Sequence, residues 1–138
     1  MAMNSFEPIS DDTAPTTPTH DVPYATGTFN LRREIDELRS GPEYARAGHA
    51  ARTLIRLAEF RVVLFVLQRH TKFIQHHTAQ PIAIQMLSGH IRITLPDRTI
   101  EQVEGELHLI ESSVAHDVTA LGDSAFLLSM PWSERTKA

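Results

Sequence analysis

The stretch Gln75-His76-His77-Thr78-Ala79-Gln80-Pro81-Ile82-Ala83-Ile84-Gln85-Met86-Leu87-Ser88-Gly89 decides how the rest of the chain is read. It closes one strand on adjacent imidazoles and, after a short polar loop, opens another on which Ile82, Ile84 and Met86 share a face, because successive strand side chains point to opposite sides. Ser88-Gly89 then supplies a turn. A second stretch, Gly105-Glu106-Leu107-His108-Leu109-Ile110-Glu111-Ser112-Ser113-Val114-Ala115-His116, loosely repeats this strand-turn-strand unit. Just beyond it, Val114, His116, Val118 and Ala120 fall on one face while Asp117 and Thr119 fall on the other. His116 therefore projects from an apolar, inward face.

Working outward, a period of two runs from about Arg52 to Trp132, in short β-branched segments separated by turn residues. That is the pattern of a sandwich or small barrel. The segments are Thr53 to Leu57, Arg61 to Leu67, Lys72 to His76, Ile82 to Leu87, His90 to Leu95, Thr99 to Val103, Glu106 to Ile110, Val114 to Ala120 and Ala125 to Met130. We count seven or eight strands among them, one segment being an extension of its neighbour. Ser88-Gly89, Pro96-Asp97 and Gly122-Asp123 read as hairpin turns. Val62 to Leu67 is apolar on both faces, so one face fills the barrel and the other meets a helix, a second sheet or a subunit. The last option is the argument for a homodimer.

Toward the N-terminus the composition changes. Residues 1 to 28 hold Pro8, Pro15, Pro18 and Pro23 among Thr, Asp and Ser, too little apolar surface to offset the entropy of ordering; we expect a disordered tail. From Phe29, residues Leu31, Ile35 and Leu38 recur at helical spacing, with Asn30 as N-cap and Ser40-Gly41-Pro42 as the stop. A second short helical turn is read over Glu43 to Ala47, docking Tyr44 on the domain. The expected organisation is thus a tail over 1–28, a helical segment over 29–50, the barrel over 51–132 and a C-terminal tail over 133–138.

Composition narrows the chemistry. The chain has 138 residues and no cysteine, which excludes disulfides and thiolate metal sites, and eight histidines, which leave imidazole, carboxylate or amide groups as the available ligands. Its net charge of −4 comes from 13 basic and 17 acidic residues. Glu7, Asp11, Asp12 and Asp21 lie in the tail with no Lys or Arg, so the body is neutral and carries no clustered basic patch, which argues against nucleic acid as partner. No apolar run reaches the length of a membrane span and the start lacks a signal-like pattern, so no membrane partner and a cytoplasmic location are expected. Phosphate loops, nucleophile elbows and HExxH helices are absent from the sequence.

The two stretches together resemble the signature motifs of the cupin family, small jelly-roll barrels built as a double-stranded β-helix. The first cupin motif has two His one residue apart, then a Glu, then a closing Gly; with the Gly on Gly89, the Glu position falls on Ile82 and the His positions on Gln75 and His77. The second runs from a Gly through a Pro, a further Gly and a His to an Asn; starting from Gly105 it falls on Glu111, Ser113, His116 and Ala120. The spacing fits throughout, while Gln75 and Ile82 replace two of the four usual metal ligands.

The resemblance implies a mainly β cupin fold with a short N-terminal helix and a pocket lined by Gln75, His77, Ile82, Ile84, Met86, His116 and Val118. It also implies a divalent transition metal (iron, manganese, zinc, nickel or copper), or none, held by His77, His116 and either His76 or Gln75. A strand bulge would turn His76 inward and restore three histidines. Three functions follow: a module binding a small organic ligand, a metal-dependent dioxygenase or isomerase, and a structural barrel with a vestigial pocket. His90 alternates with Arg92 and Thr94 and reads as solvent-facing. His108 shares a face with Glu106 and Ile110, which is assigned to neither wall. Glu111 and Asp117 read as solvated carboxylates, and Phe126 and Trp132 as core or interface aromatics.

Overall fold

The computed structural model describes residues 26–76 and 79–132, and the side chains of all of these except 74, 75 and 76. Most of the expected N-terminal tail, the tail over 133–138, and the side chains of Gln75, His76 and His77 lie outside the described residues.

Asn30 caps the first helix, α1 (Leu31–Ser40), its side-chain oxygen accepting from the Arg33 N–H at 3.1 Å. Pro42 opens α2 (Pro42–Ala47), which ends where Gly48 adopts a left-handed φ of 85° and donates its N–H to the Tyr44 carbonyl at 2.9 Å. The first strand, β1 (His49–Arg56), follows at once, starting at His49 rather than Thr53. His49-Ala50-Ala51 has little β propensity, and the strand forms there because its pairing with the next strand in the chain runs from His49 opposite Leu67 onward.

Every expected strand segment is a separate strand: β2 (Phe60–Leu67), β3 (Lys72–His76), β4 (Ile82–Ser88), β5 (His90–Thr94), β6 (Thr99–Val103), β7 (Leu107–Ile110), β8 (His116–Ala120) and β9 (Ser124–Pro131). They form a five-stranded sheet of order β1-β2-β9-β4-β7 facing a four-stranded sheet of order β3-β8-β5-β6. All the pairings are antiparallel. One apolar core fills the space between the sheets, with Phe65 stacked on Phe126 at 5.1 Å between ring centres and Ile84, Met86, Ile91, Ile93 and Val118 around them.

β2 resolves the alternatives that its sequence left open. Val63, Phe65 and Leu67 enter the core between the sheets, whereas Leu64 and Val66 on the opposite face pack under Leu38 and Tyr44 of the helices. The second apolar face thus meets this chain's own helices, so it no longer argues for a homodimer. Arg52 of β1 fastens α1 across that face, its Nη1 donating to Glu34 at 2.7 Å and to Glu37 at 2.8 Å.

The turns divide differently from expectation. Pro96-Asp97 closes a hairpin between β5 and β6, with the Leu95 N–H donating to the Arg98 carbonyl at 2.7 Å. Ser88-Gly89 and Gly122-Asp123 instead carry the chain from one sheet to the other, since β4 and β9 lie in the first sheet and β5 and β8 in the second. Among the described residues no helix is long and apolar enough to cross a membrane.

Candidate functional site

The inward histidine is where its alternation places it. His116 opens β8 and is buried, with Val118 and Ala120 following on the same face. Its Nδ1 lies 3.0 Å from the Val114 carbonyl oxygen. A carbonyl only accepts, so the ring donates from Nδ1, and in its neutral form the lone pair is on Nε2. The backbone carbonyl thereby fixes both the tautomer and the ring orientation.

Ile82, Ile84, Met86 and Val118 are fully buried on the inner walls and belong to the continuous core. β3 pairs with β8 through a register shift: Phe73 lies opposite Val118, but the next paired residue is His76, opposite His116. Unshifted pairing would set Gln75 there. The bulge thus brings the backbone of His76 across from His116, the circumstance under which a third histidine was expected.

The described side chains do not complete a metal centre. Of the expected ligands only His116 is among them, no three His, Asp or Glu side chains among the described residues gather as a metal site, and Ile82, at the carboxylate position of the motif, lies in apolar core. An isoleucine there supplies neither a donor atom nor the negative charge that would offset a divalent cation.

Strand pairing places the ends of several segments. β4 begins at Ile82, which pairs with the last residue of β7, Ile110, while Thr94 at the end of β5 pairs with Asp117. Arg61 and Met130 are partners at the same end of the first sheet. Sequence reasoning missed Arg61. It lies on the parity of Val63, Phe65 and Leu67, is buried, and sets its guanidinium carbon 4.6 Å from the centre of the Trp132 ring. A charge in register with three core residues was the available signal.

The two sheets approach along the edges β6 and β7. Gln102 of β6 bridges this seam at one end, donating from Nε2 to the carbonyls of Ile84 at 2.7 Å and Glu106 at 2.8 Å. At the other end the seam opens into a cavity of about 220 Å³, lined by Leu95, Asp97 and Arg98 of the hairpin, by His108, Leu109, Ile110 and Glu111, and by Val114. Val114 is the residue whose carbonyl orients His116. His108 pairs with Ile84 and is half-buried; burial, then the nearby positive charge of Arg98, holds its pKa below the ordinary 6.5. A neutral imidazole, a guanidinium, two carboxylates and apolar side chains thus share one small cavity. His90 faces outward as expected, 2.8 Å from Glu101.

No family model and no curated protein matches the chain. Solved structures do. A cupin-2 domain containing protein from Shewanella frigidimarina superimposes with a TM-score of 0.63 at 16% identity, over 75% of this chain and 94% of that one. The chain has the cupin fold. The polyketide cyclase RemF from Streptomyces resistomycificus shares this cupin architecture with a TM-score of 0.56 at 24% identity, over 62% of this chain and 66% of that one. Salicylate 1,2-dioxygenase from Pseudoaminobacter salicylatoxidans matches with a TM-score of 0.61 at 15% identity, over 72% of this chain but only 32% of its own. Enzymes are therefore among the proteins that share the fold, and at these identities the likeness fixes the fold and not the activity.

The cupin register has an independent mark in the backbone. The glycine positions of the two motifs fall on Gly89, Gly105 and Ser113, and all three have positive φ, at 88°, 88° and 66°. Ser113 thus keeps a left-handed conformation that favours glycine.

Proposed function

We propose that this cupin binds a small organic molecule in the seam cavity, beside the end of the barrel where His116 sits. The carrying observation is the cavity itself. It combines apolar surface from Leu95, Ile110 and Val114, all packed on the core, with a few polar groups, the usual composition of a small-molecule site. At about 220 Å³ it is smaller than the roughly 300–1,000 Å³ of pockets for drug-sized ligands, so its occupant is small. The test is a fragment screen on the full chain, read by backbone and imidazole NMR. The expected result is a saturable set of compounds that perturbs His108, Val114 and Ile110. A broad library that leaves those resonances unmoved would overturn the reading.

A second reading, a metal-dependent cupin enzyme of dioxygenase or isomerase type, is favoured by one observation, the β3 bulge that sets His76 opposite His116 in register. Elemental analysis of protein purified without chelator decides it, with His116→Ala as the blank. A near-stoichiometric transition metal that disappears in the variant supports this reading. Its absence after metal is offered back removes it.

A further inference from the structure

The charges that line the seam cavity specify more than a small ligand. Arg98 and the carboxylates of Asp97 and Glu111 line the same space, yet among the described residues no ion pair joins Arg98 to either of them. Opposite charges left apart around a cavity too small for a drug-sized molecule are matched by a ligand that carries both signs itself. A purely anionic ligand would satisfy Arg98 but meet the two carboxylates, and a purely cationic one would meet the guanidinium. Arg98, Asp97 and Glu111 are all exposed, so solvent screens these repulsions, and they bias the choice of ligand rather than forbid the alternatives.

From these groups we infer that the cavity takes a small amphoteric molecule of the α-amino acid class, with an apolar side chain. The inference rests on reading this cavity as the ligand site. The carboxylate goes to Arg98, whose planar guanidinium matches a carboxylate in two parallel hydrogen bonds. The ammonium goes to the side of Glu111 and Asp97. His108, which lines the cavity as a neutral ring, has one nitrogen that donates and one that accepts, and so serves either end of such a ligand. The apolar side chain lies against Leu95, Ile110 and Val114. These three also pack on the barrel core, so that part of the site is rigid before the ligand arrives.

The experiment titrates the full chain with leucine and phenylalanine. It adds the corresponding carboxylic acids without the amine and the corresponding amines without the carboxylate, and follows binding by NMR and calorimetry. Arg98→Ala and Glu111→Gln, both at exposed positions, serve as variants, with thermal melting to show that each is folded. The expected result is saturable binding of the amino acids at the cavity residues. Loss of either charged group from the ligand, or of Arg98 from the protein, should weaken it about tenfold or more, the scale of one charge-assisted hydrogen bond. Equal binding of a deaminated acid, or binding only of compounds with no charge, would overturn the amphoteric class while leaving a small-molecule site in place. Failure of these probes together with an entire fragment library to perturb the cavity would overturn both.

Discussion

Gly89 and Ser124 occupy the corner where the two sheet-to-sheet crossings pass each other, so closely that a Cβ on Gly89 would collide with the Ser124 hydroxyl and backbone. Ser124 is buried there, accepting from the His90 N–H at 3.0 Å and directing its single O–H to the Gly122 carbonyl at 2.8 Å, with the His90 carbonyl oxygen also within reach at 3.2 Å. Gly89 also has a left-handed φ. Gly89→Ala should therefore cost about 3 kcal/mol or more, from backbone strain and overpacking together. Chemical denaturation measures this. A loss below about 1 kcal/mol would mean that the crossings separate easily.

Ser113 makes the opposite prediction. It holds a φ of 66° at a position where the cupin motif has glycine. Ser113→Gly should stabilise the fold by about 1 kcal/mol, strain relieved being partly offset by a more flexible unfolded chain. An unchanged or lower denaturation midpoint would show that the serine is unstrained.

His108 links the cavity to pH. Its folded pKa is below its unfolded value of 6.5, so the unfolded state binds more protons in the window between them. Its contribution to stability is complete above about pH 6.5 and falls away as pH drops through the lowered value. His108→Gln should flatten the acid side of the stability profile between pH 7 and 5 relative to the parent. Parallel profiles would mean that burial and Arg98 leave the imidazole untouched.

Ile82 reports on the motif register. Ile82→Glu places a carboxylate on a wall that is 1% exposed, and in chelator should cost about 3 kcal/mol or more. If Ile82 marks the ligand position, added zinc should raise the melting temperature of the variant and leave the parent unchanged. A variant indifferent to zinc would take residue 82 out of any metal register.

His116 should be found as the Nδ1–H tautomer, because Val114 offers that nitrogen only an acceptor. Nitrogen chemical shifts of the imidazole measure this directly. A protonated Nε2 in the neutral ring would mean that the carbonyl does not orient it.

What the sequence determined by itself was everything periodic or local. Strand alternation set the inward faces of Ile82, Ile84, Met86 and His116, the Asn30 cap and Pro42 bracketed α1, and the motif spacing led to the cupin register, because a period of two and a cap are written in neighbouring residues. Tertiary structure alone decided which turns were hairpins and which changed sheets, since Ser88-Gly89 and Pro96-Asp97 carry similar local turn signals but connect strands with different partners. It also decided what covered β2, for an apolar face does not name the surface that meets it. The seam cavity belongs to the same category. Leu95, Asp97, Arg98, His108 to Glu111 and Val114 share no motif, and they line one space only because β6 and β7 are the open edges of facing sheets.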